Sequence, residues 1–120
     1  MQLSQNKINK TIELQLERFF LGILAETDNP EKIKMILSEL LTETERLAVL
    51  KRLGIAIYLD KSRSYEDIKN NIKVSSATIA SVAERFGDEG WQEIIKMIKA
   101  EEWSSDWSEK ISKRIRGLFG

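Results

Sequence analysis

The chain has no cysteine and no histidine. Without cysteine there are no disulfides, no thiolate nucleophile and no thiolate zinc site. Without histidine the commonest general base and metal ligand near neutral pH is missing as well. Punctuation is also scarce, with one proline and six glycines in 120 residues, which favours long helices over a many-turned sheet. No apolar run reaches 18 residues, and residues 1–10 lack a charged-then-apolar leader pattern. The expected location is therefore the cytoplasm, with no membrane partner. Net charge is absent too: 19 Lys and Arg balance 19 Asp and Glu, whereas DNA-binding domains usually carry a basic excess.

What remains is a helix-forming composition, 42% hydrophobic and 32% charged, suited to one all-α domain over residues 1–120 with a modest core. A first helix is expected over 4–26, where Ile12, Leu16, Phe19, Phe20, Ile23 and Leu24 recur at spacings of three and four. Asn29 and Pro30 read as the cap and first position of a second helix over 30–41, with Ile33, Ile36, Leu37 and Leu40 inward. Thr42 and Glu45 form a capping box that opens a long helix over 43–61, with Leu47, Leu50, Leu53, Ile57 and Tyr58 inward. Gly54 inside it implies close approach by another helix. Further helices are expected within 89–118. Trp91, Ile94, Ile95 and Ile98 share one face, and Trp107, Ile111, Ile115 and Leu118 share a later one. Lys110, Lys113, Arg114 and Arg116 give that last segment some membrane-surface character, but Asp106 and Glu109 dilute it. A helix docking into the fold is the plainer expectation.

Between these lies the most informative stretch, residues 64–86. Two short helices are expected there, one started by Ser64 and the other by Ser75. Ile68 and Ile72 give the first its apolar side; Ile79, Val82 and Phe86 give the second its own. Gly87 stands where the second helix ends. A short helix with small polar residues outward is shaped to enter a DNA major groove. Charge supports this unevenly. Arg46, Lys51, Arg52, Lys61 and Arg63 face only Asp60 between Arg46 and Arg63, whereas bases and acids balance across 64–86. Phosphate contacts are expected from Arg46, Arg52, Lys61, Arg63 and Lys73, although such a charge run equally suits a solvated helix face.

The run Leu41-Thr42-Glu43-Thr44-Glu45-Arg46-Leu47-Ala48, followed by the long helix and the 64–86 pair, resembles the tryptophan-repressor superfamily. Ser64-Tyr65-Glu66-Asp67-Ile68 and Ser75-Ser76-Ala77-Thr78-Ile79 are most similar to its YerC/YecD branch. The resemblance implies an intertwined all-α homodimer whose N-terminal helices interlock and whose subunits each present one reading head to double-stranded DNA. It places Lys69 on phosphate, Ser76, Ala77 and Ala80 against base edges, and Ser75 at the groove mouth. Arg85, one turn beyond Ser81, is expected either to reach phosphate or simply to solvate the helix. Without Arg or Asn on the base-facing positions, direct readout is thin and shape readout contributes.

In the repressor proper, tryptophan is held by a threonine, an arginine on the long helix and a second arginine on the reading helix. Thr42 and Arg52 match the first two. Ser81 replaces the second arginine, and Val82 replaces a glycine that leaves the ligand room. L-Tryptophan is accordingly not expected to bind, and no cofactor is expected. Lys73 stands in the turn where glycine is usual. The leading expectation is a dimeric, sequence-specific transcription regulator. The alternative is a helical interaction module in which Trp91, Trp103 and Trp107 anchor a partner. An enzyme is disfavoured, because no serine has a basic partner at motif spacing and neighbouring carboxylates do not converge on a helix.

Overall fold

The computed structural model describes residues 7–102. Six helices occur in them: α1 (Lys10–Glu26), α2 (Pro30–Leu40), α3 (Glu43–Asp60), α4 (Tyr65–Ile72), α5 (Ser76–Arg85) and α6 (Glu89–Glu102). There are no strands among the described residues, so the fold is all-α. None of these helices is long and apolar enough to cross a membrane. The chain divides into two compact units, Met1–Ala48 and Val49–Gly120. The helix expected over 104–118, with Trp107 and its basic residues, lies outside the described residues, as does Trp103.

In the first unit, local capping chemistry sets the helix boundaries. α1 starts at Lys10, later than the expected residue 4, because Asn9 Oδ1 accepts from the Thr11 amide at 2.9 Å and the Ile12 amide at 3.4 Å. Asn29 caps α2 in the same way, at 2.9 Å from the Glu31 amide, with Pro30 in the first position. The box at the start of α3 closes in both directions. The Thr42 amide donates to Glu45 Oε1 at 2.8 Å, and the Glu45 amide donates to Thr42 Oγ1 at 3.2 Å. The hydrogen bond from Thr42 holds the Glu45 carboxyl below its ordinary pKa.

No residue of α1 or α2 is buried. Leu40, expected inward, is 55% exposed, and on α1 Phe19 is 60% exposed. The apolar residues of α1 include Leu14 and Leu21 as well as the expected stripe, so they spread over more than half of its circumference and leave Gln15, Arg18 and Glu26 on the polar side. An apolar face that wide is normally covered by another surface.

The second unit holds the core: Ile55 and Ala56 of α3, Ile68 of α4, Ile79 and Val82 of α5, and Ile95 of α6. Tyr58, Leu59, Ile72, Val74, Phe86 and Trp91 pack around them. This corrects the expected inner face of α3, where Leu47 and Leu50 are exposed while Ile55 and Ala56 are fully buried. α3 carries apolar residues around most of its circumference, so periodicity does not select one face. Gly54 has the expected close neighbour: a Cβ there would lie 2.9 Å from Ile72 Cδ1 of α4. Ion pairs Lys61–Glu102 at 3.0 Å and Lys99–Asp60 at 3.4 Å tie the end of α3 to α6.

Among the described residues two non-glycine residues take left-handed backbone conformations, Ser62 (φ 58) and Lys73 (φ 62). Ser62 ends α3 in a paired-bond cap: its amide donates to the Leu59 carbonyl and the Arg63 amide to the Tyr58 carbonyl, both at 3.0 Å. Lys73 caps α4, its amide donating to the Lys69 carbonyl at 3.0 Å. The left-handed region costs an L-residue about 1–2 kcal/mol, and glycine gives back roughly half of that as extra chain entropy. Ser62→Gly and Lys73→Gly are each expected to stabilise the protein by about 0.5–1 kcal/mol, read as a higher midpoint in denaturant at unchanged slope. Lower midpoints for both would rule out this backbone strain.

Candidate nucleic-acid interface

α4 and α5 form a helix-turn-helix whose starts are those expected. Ser64 Oγ accepts from the Asp67 amide at 3.1 Å, and Ser75 Oγ from the Thr78 amide at 3.2 Å. Ser75 Oγ also lies 3.0 Å from Thr78 Oγ1. The Ser75 hydroxyl is thus engaged in capping, which limits what it can offer at the mouth of a groove. α5 ends without the expected glycine conformation, because no glycine among the described residues has a positive φ. Instead the chain tightens: the Phe86 amide donates to the Ala83 carbonyl at 3.2 Å and the Asp88 amide to the Arg85 carbonyl at 2.9 Å. Gln92 Nε2 then satisfies the Phe86 carbonyl at 2.8 Å.

This framework sorts the two sides of α5. Ile79 and Val82 are buried, with Ala83 and Phe86 half-buried. Ser76, Ala77, Ala80, Ser81 and Glu84 are exposed. Ser76, Ala80 and Glu84 succeed one another at intervals of four, a single ridge of the helix. Small side chains on that ridge let the helix backbone come close to another surface, while Glu84 places a carboxylate at its far end.

The basic residues are less available than their count suggests. Arg46, in the first unit, is held by Glu43 through two hydrogen bonds, Nε to Oε2 at 3.0 Å and Nη2 to Oε1 at 2.7 Å. That hydrogen-bonded pair lowers the Glu43 pKa and raises that of Arg46. In the second unit Arg63 Nη1 bonds Asp67 Oδ2 at 2.8 Å, and its guanidinium lies 5.8 Å from the centre of the Tyr58 ring. Lys61 pairs with Glu102, and Arg85 Nε bonds Asp88 Oδ2 at 3.0 Å. Exposed pairs of this kind add little to stability, so a phosphate competes with them readily. Lys69, in the last turn of α4, and Lys73, in the turn, are both exposed. Arg52 and Arg85 share an open cleft of about 400 Å³ that is also lined by Asp88, Gly90, Trp91 and Ile94.

Lys51, read from sequence only as one of the bases of the 46–63 segment, donates from Nζ to the Lys73 carbonyl across 22 residues at 3.0 Å. Nothing local signals a bond of that separation. The pairings of Arg46 and Arg85 with acids three residues away were open to detection from helical spacing. Among the described residues no acidic cluster is placed to hold a metal ion.

A family model for the Trp repressor protein matches residues 15–99. No curated protein and no solved structure gives a significant match. The matched segment begins within α1, takes in the helix-turn-helix whole and ends in α6. The chain belongs to the Trp repressor family, a family of helix-turn-helix DNA-binding regulators rather than enzymes.

Proposed function

We propose that the protein is a sequence-specific DNA-binding transcription regulator that acts as a homodimer through α4 and α5. The observation that carries this reading is the exposed ridge of small residues on α5, held by two serine-capped helix starts in a chain of this family. Ser76, Ala77 and Ala80 meet base edges, and Ser75 stands at the groove mouth. Lys69 and Arg85 meet phosphate, with Arg46, Arg52, Lys61, Arg63 and Lys73 as further phosphate contacts. Membership of the YerC/YecD branch rests on the 64–68 and 75–79 segments and belongs to the same reading.

Homodimerisation is supported by the first unit. Seven large apolar side chains of α1 are 40–60% exposed within one chain: Ile12, Leu14, Leu16, Phe19, Phe20, Leu21 and Ile23. Covering a half-exposed side chain of this size contributes about 1 kcal/mol, which makes α1 a strong driver of association. L-Tryptophan is not the effector in this reading. Ser81 offers no guanidinium, and the Val82 side chain is committed to the core at 1% exposure.

Binding measured by gel shift tests the assignments. Ser76→Ala should relax sequence preference at one base pair of each half-site, at about 1–3 kcal/mol. Lys69→Ala should weaken all sequences alike and lower the slope of log affinity against log salt by about 0.9 for each phosphate it no longer neutralises. Equal effects of both changes on every sequence would remove Ser76 from the base-reading set.

One observation favours a second reading, a helical interaction module without DNA contact. Arg46, Lys61, Arg63 and Arg85 are all paired with carboxylates, and Glu84 sits on the exposed ridge. A stable homodimer with no affinity for DNA at low salt would decide for this module.

A further inference from the structure

Lys51 is the one described side chain that hydrogen-bonds across from the long helix to the turn of the helix-turn-helix, and its bond ends on a backbone atom. Its Nζ lies 3.0 Å from the carbonyl oxygen of Lys73, the residue held at φ 62 and ψ 60 between α4 and α5. A left-handed residue turns its carbonyl away from the preceding helix, so that oxygen is open to a donor from elsewhere, here Lys51 rather than water. Three residues along α3, the side with no Cβ at Gly54 receives Ile72, the last residue of α4. Two contacts from neighbouring turns of α3 thus converge on the end of α4, one apolar and one charge-assisted. Lys51 is half-buried, as expected of a stem lying along the protein with its ammonium occupied.

We infer that Lys51 is a positioning residue for the reading head: its ammonium fixes the α4–α5 turn against α3 and thereby sets the angle at which α5 is presented. This rests on the DNA-binding reading proposed above. It also separates Lys51 from the other bases of the 46–63 segment. A lysine that contacts phosphate contributes to the salt dependence of binding, whereas one occupied by a backbone carbonyl does not. Lys51 therefore acts on DNA through Lys73 and α5 and touches no phosphate itself.

The test uses the full-length protein with Lys51→Met, which keeps the stem and removes the donor, and Lys51→Arg, which restores one. Amide exchange is measured first on the free protein. Loss of a charge-assisted bond should speed exchange of the Lys73 amide about tenfold in Lys51→Met, with α6 amides unchanged and Lys51→Arg close to wild type. DNA affinity is then measured across a salt series. Lys51→Met should bind about tenfold more weakly at every salt concentration, with an unchanged salt slope and rescue by Lys51→Arg. Unchanged exchange at Lys73 overturns the latch whether or not the protein binds DNA. A lower salt slope in Lys51→Met would make Lys51 a phosphate contact and overturn the positioning role. Faster exchange in a protein that binds no DNA would leave the latch standing and remove the function proposed for it.

Discussion

Phe19→Asp is expected to turn a dimer into a monomer and to abolish tight DNA binding together with it. Phe19 is 60% exposed within one chain, so the single subunit loses little packing when the ring is removed. In a dimer joined through α1, however, the new carboxylate is buried against apolar surface once in each subunit. Burying an unpaired charge costs several kcal/mol, and two such groups weaken association by roughly 1,000-fold or more. Sedimentation at micromolar concentration should show the mass of one chain, and the thermal midpoint should lose its dependence on protein concentration. DNA affinity should fall with it, since a monomer engages only one half-site at a time. Wild-type protein sedimenting as a monomer, or a Phe19→Asp variant still dimeric, would contradict the assignment of α1 to the subunit contact.

Ala80→Glu should have an effect of similar size by a different route. Ala80 is exposed in the middle of the ridge formed with Ser76 and Glu84, so a longer side chain meets no core atom there. The thermal midpoint should hold to within about 0.5 kcal/mol of stability, as for other exposed positions. Against DNA the same carboxylate would fill the close approach that alanine allows and set a second negative charge beside Glu84, facing phosphate. Like-charge opposition of several kcal/mol corresponds to a loss of affinity of roughly 100-fold or more. A stable variant that binds DNA as tightly as wild type would take α5 out of the groove. Phe19→Asp and Ala80→Glu together separate assembly from contact, because the second should leave the dimer intact.

The parts of this molecule that could be read from sequence are those fixed within four residues. Ser64, Ser75, Asn29 and the Thr42–Glu45 box each cap the helix start expected of them. Each does so with a side chain and an amide two or three positions apart. Asn9 caps α1 in the same local way, although the helix was expected to begin at residue 4. Left-handed Ser62 carries no signal, since the usual one is glycine, whereas Lys73 is marked in the sequence as standing in a turn where glycine is usual. Their conformations are imposed by the return of the chain into α4 and into α5. The buried side of α3 was illegible for another reason. Leu47, Leu50, Ile55 and Ala56 lie at different angles around one helix, and only tertiary neighbours distinguish Ile55 and Ala56 from the rest.

The candidate interface divides along the same line. The small residues of α5 could be placed outward once Ile79 and Val82 were placed inward, because a single helical period decides both. The state of the basic residues could not be read that way. Five bases against one acid between Arg46 and Arg63 suggested a phosphate-binding segment. Yet Lys61 is paired with Glu102, some forty residues on, and Lys51 is occupied by the Lys73 carbonyl. Arg46 and Arg63 are likewise paired with Glu43 and Asp67. In the reading proposed here a bound DNA would have to exchange these pairs, which predicts a salt slope shallower than a count of arginines and lysines implies.

Sequence-specific binding as a homodimer is best tested by selecting bound DNA from a random duplex pool with the purified protein at low salt. Two reading heads related by a two-fold axis predict an enriched inverted repeat with half-site centres one helical turn, about 34 Å, apart. That enrichment should disappear in Ala80→Glu. A pool that stays random through successive rounds, with the wild-type protein folded and dimeric, would contradict the reading role of α4 and α5.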